Sequence, residues 1–268
     1  MKWVKVLHAG QPVFGVLEGQ TVHLTALNWQ QILNGEAPEV TGEIALSEAR
    51  LLAPLERPGK IVAIGQNYWD HCREQNKPAP DRPVIFTKFT TAINHPGGVI
   101  RWSPDLTAQV DFEAELAVVI GRTARHVDEE AALDYVFGYT AANDVTARDL
   151  QYGDKQWVRG KSLDTFCPLG PTLVTADEIP DPQLVTIRTE LNGTVMQNSH
   201  TGEMIFSVAY IIAFASAAFT LEPGDVILTG TPDGVGHFRQ PPVYLKAGDH
   251  IALELGGIGR LENTCAYL

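Results

Sequence analysis

Apolar positions along the chain fall mostly into short runs and alternations rather than long helical repeats. Residues 1 to about 50 contain short apolar segments separated by turns at HAGQP and LEGQ, a pattern typical of small strands. The polar segment NGEAPEVTGE lies near the end of this region. We therefore predict a small N-terminal β subdomain over residues 1–55 and a larger domain over residues 56–268.

The apolar run IVAIG predicts a buried strand that ends at a glycine turn, and the following QNYWDHCREQN predicts a short helix. Two further helices are predicted, one over 128–138 (DEEAALDYVFG) and one in NDVTARDLQ. Strands dominate the C-terminal half, apart from a helix over 205–219. The pattern favours an α+β fold that is mostly β over a regular alternation of strands and helices.

The largely apolar segment 204–221, MIFSVAYIIAFASAAFTL, contains no charged residue. Its length is close to that of a membrane span. Its serines and alanines, and the Pro-Gly turn in LEPGD that follows, are instead typical of a core helix. We therefore expect no association with a membrane.

Charge and cysteine content narrow the classes of function. The formal net charge is −12 and the isoelectric point is near 5.0, which argues against a nucleic-acid groove. Cys72, Cys167 and Cys265 are far apart and odd in number, as expected for reduced thiols. The N-terminus lacks the pattern of a signal peptide, so we expect a cytoplasmic protein.

Acidic residues alternate at the start of the segment VDFEAELAVVIG. In an extended chain Asp111, Glu113 and Glu115 point to one side, where like charges repel unless a cation cancels them. A solvated sheet face is the alternative. Asp144 follows another apolar run, and a neighbouring strand could bring it close as a third oxygen ligand for a cation such as Mg²⁺. Asp111 shares this face, but an aspartate beside the start of a strand can equally be solvated or capping.

Two further candidates are a histidine–glutamate pair and a lysine. His71 and Glu74 are three residues apart, so a helix places them on one face, where the carboxylate can orient the imidazole as a general base. An exposed surface pair is the alternative. Lys161 could stabilise an enolate oxygen beside a metal, or could be a surface lysine. The turn LTGTPDGVG is suited to presenting backbone N–H groups to a carboxylate.

Six segments, in this order and at this approximate spacing, resemble the fumarylacetoacetate hydrolase family: GQNYWDHCREQN, VDFEAELAVVIG, NDVTARDLQ, QWVRGKSLDTFCPLGP, LNGTVMQ and LEPGDVILTGTPDGVG. The resemblance covers roughly residues 55–268. It implies a mixed β-sandwich roll with a small N-terminal region, assembled as a homodimer. It also implies that Mg²⁺ or Mn²⁺ binds at Glu113, Glu115 and Asp144.

By the same matching, His71 and Glu74 correspond to the acid–base pair of the family, which we expect on an exposed or lid segment. Lys161 corresponds to the active-site lysine. The resemblance implies that the substrate is surrounded by Arg148, Gln151 and Thr231. Members that act on acylpyruvates often have arginine where this chain has Gln66, which weakens that assignment.

The reaction that the resemblance implies starts from a small 2-oxo acid, which forms an enolate beside the metal and Lys161. Details such as HCREQNKPAP and FRQPPVYLKAGD are similar to members associated with tautomerisation of oxaloacetate, in which His71 only moves a proton. If His71 activates water instead, a C–C bond is hydrolysed. Decarboxylation, hydration and isomerisation within the same family stay open. A non-catalytic protein would lack an acid, base or lysine position, and this chain lacks none.

Overall fold

Nineteen strands and five α-helices make up the protein, which the computed structural model describes over residues 1–268. The first strands are β1 (Lys2–His8), β2 (Gln11–Glu18), β3 (Thr21–Thr25), β4 (Val40–Ala45), β5 (Arg50–Leu52), β6 (Ile61–Gly65), β7 (Val84–Thr87), β8 (Ile93–Asn94) and β9 (Val99–Trp102). The remaining strands are β10 (Val110–Asp111), β11 (Ala114–Ile120), β12 (Val136–Asn143), β13 (Thr146–Ala147), β14 (Cys167–Thr175), β15 (Thr186–Leu191), β16 (Thr194–His200), β17 (Val226–Leu228), β18 (His250–Leu255) and β19 (Gly259–Tyr267). The helices are α1 (Trp29–Leu33), α2 (Trp69–Glu74), α3 (Arg148–Gly153), α4 (Val158–Lys161) and α5 (Val208–Ala218).

Two sheets contain most of these strands. The larger has the order β4-β3-β2-β1-β14-β12-β11-β17-β6-β7, with β5 beside β1 and β8 beside β14. The smaller has the order β16-β15-β18-β19-β9, and it contacts the larger sheet through β11, β12 and β14. Most pairs are antiparallel, but β17 runs parallel to β6. The predicted mixed, mostly β architecture is therefore confirmed.

The N-terminal strands extend the larger sheet, because β1 pairs with β14. The predicted division into two domains at residue 55 stays a prediction.

Strand β11 is buried on both faces, which explains its nearly continuous apolar sequence. Leu116 and Val118 belong to the main core cluster of 40 residues, whereas Ala117 and Val119 belong to a second cluster of 16 on the opposite face. Glu113, just before this strand, and Glu115, at its start, are buried as well. Charged residues at its start therefore lie in a low-dielectric environment.

Two of the predicted helices differ from the structure. The segment predicted as a helix over 128–138 forms a 3₁₀ helix over Glu129–Tyr135, and β12 begins at Val136 because these residues pair with β11 and β14. NDVTARDLQ divides into β13 and α3. The short helix after IVAIG and the apolar helix α5 are confirmed. None of the helices has both the length and the apolar character needed to cross a bilayer.

Candidate active site

Three buried carboxylates meet where β11 begins and β12 ends. Ala114 pairs with Asn143, so Glu113 and Asp144 lie beside each other, and the Asp144 N–H donates to the Glu113 carbonyl at 2.8 Å. Side-chain oxygens of Glu113, Glu115 and Asp144 all lie within 4.8 Å of one another. The structure therefore brings together the three predicted metal ligands, and it does so through the register of two strands.

Lys161 lies between two of these carboxylates and is not a surface lysine. Its Nζ donates to Glu113 Oε2 and to Asp144 Oδ2, both at 2.6 Å, and the side chain is buried. Burial opposes its charge, but the carboxylates of Asp144 and Glu113 raise the pKa of Lys161 above its usual value. The ammonium group is therefore held charged at the centre of the site. It also lies 5.1 Å from the centre of the Phe86 ring, which favours a cation.

Glu113 and Glu115 differ in how their environment affects ionisation. Burial opposes the ionisation of Glu113, but Lys161 and Arg148 lower its pKa to about 2. Burial raises the pKa of Glu115 well above its usual range, and the negative charges of Asp144 and Glu113 raise it further. Glu115 is thus the carboxylate of the three whose charge the protein compensates least.

Asp111 is buried, which excludes the solvated alternative that the sequence left open. Its carboxylate is fully buried and accepts hydrogen bonds from Arg148 Nε at 2.8 Å and Nη2 at 2.7 Å. It also accepts from the backbone N–H groups of Gly236 at 2.8 Å and His237 at 3.1 Å. Asp111 is buried because α3 and the 230–239 segment, which supply these donors, pack over it. The local sequence around Asp111 does not reveal these distant partners.

Lys88 is a buried cation that sequence reasoning missed. Its Nζ donates to Asp144 Oδ1 at 2.6 Å, to the Val145 carbonyl at 3.1 Å, and to the carbonyl of Lys161. A lysine just after a half-buried strand in FTKFTTA has no pattern that distinguishes it from a surface lysine. Its position fixes one oxygen of Asp144 and the backbone of Lys161.

These side chains form what we call the buried charge cluster, in which three positive charges meet four negative ones. The cations are Lys88, Arg148 and Lys161, and the carboxylates are Asp111, Glu113, Glu115 and Asp144. One negative charge is therefore left over when all of these groups are ionised. Carboxylate oxygens with an uncompensated charge fit a hard divalent cation such as Mg²⁺ or Mn²⁺.

The predicted acid–base pair forms, but on a packed helix. His71 Nδ1 lies 2.8 Å from Glu74 Oε2, and Glu74 Oε1 accepts from the Gly234 N–H at 3.0 Å. The His71 side chain is only 7% exposed, and its ring packs edge-on against Phe238 at 5.5 Å. The histidine is therefore not exposed, and a role of this segment as a lid stays a prediction. Because Nδ1 is hydrogen-bonded to Glu74, Nε2 is the ring nitrogen that remains available to a ligand.

Helix α2 is held in place from two sides, which explains the burial of His71. Asp70 accepts from the His71 N–H at 2.7 Å and from Ser199 Oγ of β16 at 2.5 Å. Asn67 donates through its side chain to the carbonyls of Phe206 and Thr229 and accepts from the Phe206 N–H. Neither Asp70 nor Asn67 was identified from the sequence, because both bind segments more than 100 residues away.

Arg148 and Gln151 lie together at the cavity, as their predicted roles require. Arg148 Nη1 donates to Gln151 Oε1 at 3.1 Å, which leaves the Gln151 amide hydrogens free of that contact. Thr231 also lines the cavity, but its hydroxyl donates to the Ala114 carbonyl at 2.9 Å and accepts from Gln197 Nε2 at 2.8 Å. Contacts of these three residues with a substrate stay a prediction.

Gln197 is a fully buried residue that links the two sheets at the site. Besides its bond to Thr231, its Nε2 donates to the Pro232 carbonyl at 3.0 Å. Its Oε1 accepts from the Ala114 N–H at 3.1 Å and from Thr189 Oγ1 at 2.9 Å. Gln197 lies in LNGTVMQ, one of the six segments that resemble the family, which pointed to the region. The sequence alone did not show what Gln197 binds.

A small cavity of about 70 Å³ connects these groups. Because one water needs ~10–15 Å³ by this measure, the space suits a few waters or one small organic acid. Its polar lining includes members of both predicted catalytic groups, and aromatic rings close the other sides. The lining comprises Ile64, Gly65, Gln66, His71, Gln75, Lys77, Phe86, Glu113, Glu115, Arg148, Gln151, Tyr152, Trp157, Lys161, Thr231 and Phe238.

Comparison with known proteins places the chain in a family. A family model described as fumarylacetoacetate (FAA) hydrolase C-terminal matches residues 60–266, and one described as Rv2993c-like, N-terminal matches residues 1–54. The chain therefore belongs to the fumarylacetoacetate hydrolase family.

Its relatives have different named activities. The protein named oxaloacetate tautomerase fahd2, mitochondrial, of Xenopus laevis is 52% identical over 222 residues, which cover 82% of this chain and 69% of the relative. A solved structure named fumarylacetoacetate hydrolase, from Exiguobacterium antarcticum, has a TM-score of 0.92 at 40% identity and covers 100% of both chains. A 5-carboxymethyl-2-hydroxymuconate delta-isomerase from Mycobacterium smegmatis has a TM-score of 0.86 at 39% identity, again over 100% of both chains.

Proposed function

We propose that this protein is a Mg²⁺- or Mn²⁺-dependent enzyme that interconverts the enol and keto forms of oxaloacetate. The observation that carries the proposal is that His71, Lys161, Glu113 and Glu115 line one cavity of about 70 Å³. Glu74 holds His71 from behind, and an Asp144 oxygen lies within 4.8 Å of the two glutamates. The name of the Xenopus relative supports the choice of substrate.

Glu113, Glu115 and Asp144 would hold the metal. When bound, the ion would supply a positive charge that polarises the keto oxygen and carboxylate of a 2-oxo acid. Burial and the excess negative charge of the cluster support this role.

Lys161 stabilises the negative charge that develops on the keto oxygen. Two of its three ammonium hydrogens are donated to Glu113 and Asp144, so one hydrogen is left for a substrate oxygen. A positioned donor of this kind acts most strongly where water is excluded.

His71 moves the proton. Glu74 holds Nδ1, so Nε2 takes a proton from one position of the substrate and returns it at another, between C3 and the enol oxygen. Gly234 in turn orients Glu74. The rings of Phe86, Trp157 and Phe238 border the cavity and limit the access of water to the reacting carbon.

Hydrolysis of a C–C bond is the second candidate, and the likeness to the Exiguobacterium hydrolase favours it. In that reaction Nε2 of His71 would take a proton from a water molecule instead of from the substrate. The relative named oxaloacetate tautomerase has the higher sequence identity, 52% against 40%, which supports tautomerisation.

The test is to present the protein with Mg²⁺ or Mn²⁺ to enol-oxaloacetate and, separately, to an acylpyruvate. We expect rapid loss of the ultraviolet absorbance of the enol without release of pyruvate. Release of pyruvate from oxaloacetate would indicate decarboxylation, and release from the acylpyruvate at a higher kcat/KM would indicate hydrolysis. Either result would overturn the proposed reaction.

We further propose a homodimer in a reducing compartment such as the cytoplasm. Phe89 and Leu106 are 57% and 46% exposed and line one groove together with Leu163. An exposed apolar groove of this kind supports a face that a second copy of the chain covers. The free, buried thiols of Cys72, Cys167 and Cys265 support a reducing environment.

A further inference from the structure

Lys77 is the one cation of the cavity lining without a partner in the chain. Arg148 is paired with Asp111 and Glu113, and Lys161 is paired with Glu113 and Asp144. The ammonium group of Lys77 forms no hydrogen bond and no ion pair with any residue, although the side chain borders the same cavity. A second negatively charged group on a ligand could therefore pair with the ammonium group of Lys77.

The end of helix α2 fixes the position of Lys77. Asn76 has a left-handed backbone with φ of 52°, and its N–H donates to the Arg73 carbonyl at 3.0 Å. The Lys77 N–H donates to the Cys72 carbonyl at 3.0 Å. These two bonds form a Schellman motif, which ends a helix with a defined geometry. A turn of defined geometry thus connects Lys77 to the helix that carries His71.

Gln75 offers a second donor on the same side of the cavity. Gln66 Nε2 donates to Gln75 Oε1 at 2.8 Å, so the orientation of the Gln75 amide is set and its own N–H groups make no bond within the chain. Gln66 and Gln75 are half-buried and Lys77 is exposed, whereas Lys161, His71 and the carboxylates are buried. The cavity therefore has a buried reactive end and an outer end lined by donors.

We propose that Lys77, assisted by the Gln75 amide, binds the carboxylate of the substrate that is remote from the keto group, an inference that rests on the proposed function. A four-carbon 2-oxo diacid has one carboxylate beside the keto carbon and one at the opposite end. With the keto end at Lys161 and His71, the remote carboxylate meets the outer end. Lys77 therefore selects dicarboxylic over monocarboxylic 2-oxo acids.

The kinetic test compares oxaloacetate with its 4-methyl ester, which lacks the remote charge. The variants are Lys77→Met, which keeps the length of the side chain, Lys77→Arg, which keeps the charge, and Lys246→Met, an exposed lysine outside the cavity as control. We expect Lys77→Met to lower the ratio of kcat/KM for the diacid over the ester about two- to fivefold, as for a partly screened ion pair. Lys77→Arg should restore most of the ratio, and Lys246→Met should not change it.

Calorimetric binding of malate and lactate in the presence of Mg²⁺ gives a readout that does not depend on turnover. Wild type should prefer malate, which has the remote carboxylate, and Lys77→Met should lose that preference. An unchanged preference in Lys77→Met, or an equal loss for oxaloacetate and its ester, would overturn the role of Lys77. If wild type does not tautomerise oxaloacetate but Lys77 still determines the preference for malate, the proposed reaction is wrong and the diacid site stands.

Discussion

At the scale of single residues, Glu115 shows how the proposed metal site opposes stability. Burial and the negative charges of Asp144 and Glu113 disfavour its ionised form, so the metal-free protein holds this carboxylate at a cost. Glu115 Oε2 accepts a hydrogen bond from the Gly230 N–H at 2.8 Å, and a glutamine can accept the same bond.

We predict that Glu115→Gln leaves the metal-free protein at least as stable as wild type and abolishes stabilisation by Mg²⁺. A ligand present at 100 times its Kd stabilises the folded state by about 2.7 kcal/mol. Thermal unfolding in EDTA and in excess Mg²⁺ measures both effects, with the exposed Glu39→Gln as control. If Mg²⁺ stabilises the variant as much as wild type, Glu115 is not a ligand.

His71 allows a prediction in which activity and stability change by different amounts. Proton transfer by a positioned side chain contributes about 10²- to 10⁴-fold in rate, and His71→Ala should lose that factor. Because the ring is buried against Phe238, we also expect a loss of about 1–3 kcal/mol in the free energy of unfolding. Stabilisation by Mg²⁺ should persist. Initial rates at a temperature where the variant is folded separate the two effects, and full activity there would contradict the assignment of the pair.

At the scale of elements, Asp111 joins β10 to α3 and to the turn at Gly236 and His237. Asp111→Asn keeps the shape but removes the charge opposite Arg148. Removing one partner of a buried ion pair costs about 3–5 kcal/mol, so we expect a loss of that size in the free energy of unfolding measured by chemical denaturation. Faster hydrogen exchange at the two turn amides should accompany it. The exposed Asp105→Asn is the control, and unchanged protection of the turn amides would argue against the tie.

His95 connects the N-terminal strands to β8, and this contact depends on pH. Its Nδ1 accepts from the Ala53 N–H at 3.0 Å, which requires an unprotonated nitrogen. Burial lowers the pKa of His95 below 6.5, with Arg50 and Lys5 contributing against the opposing effect of Glu56. Its contribution to stability is therefore present above the unfolded value of about 6.5 and is lost as the pH falls through the lower folded value.

We predict that the melting temperature of wild type falls between pH 7.5 and 5.5 more steeply than that of His95→Gln. Glutamine does not titrate in this range, so the variant lacks this part of the dependence. Calorimetric scans across the interval measure the slopes, and exposed His8→Gln should keep the slope of wild type. Parallel slopes for wild type and His95→Gln would rule out His95 as the source.

At the scale of the whole molecule, the exposed groove of Phe89 and Leu106 bears on assembly. We predict a mass in light scattering of about twice the 29.3 kDa of one chain. Phe89→Glu should shift the mass toward one chain because burying a charge without a partner is unfavourable. Leu184→Glu, at a residue 77% exposed elsewhere, should not. A wild-type mass of one chain at micromolar concentration would contradict the dimer.

Local patterns were enough to predict the strands around Glu115, the helix of His71 and the apolar helix α5, because apolar periodicity and turn residues are local signals. The three candidate metal ligands were accessible because Glu113 and Glu115 alternate in the sequence, one just before β11 and one within it. The roles of Lys88, Asp111 and Gln197 were not, since each depends on partners from distant segments. The helix predicted over 128–138 is a 3₁₀ helix that ends at Tyr135, because the residues that follow pair with two strands as β12.

The position of β17 late in the chain has a consequence for the point during synthesis at which the site can assemble. Strand β6, which leads into His71, has only β17 and β7 beside it, and β17 separates it from β11 with its carboxylates. A nascent chain that has left the ribosome up to residue 225 contains His71, Glu74, the three candidate metal ligands and Lys161. It still lacks the strand that joins the two halves of the site. The enzyme can therefore gain activity only in the last part of its synthesis, when residues 226–228 enter the sheet.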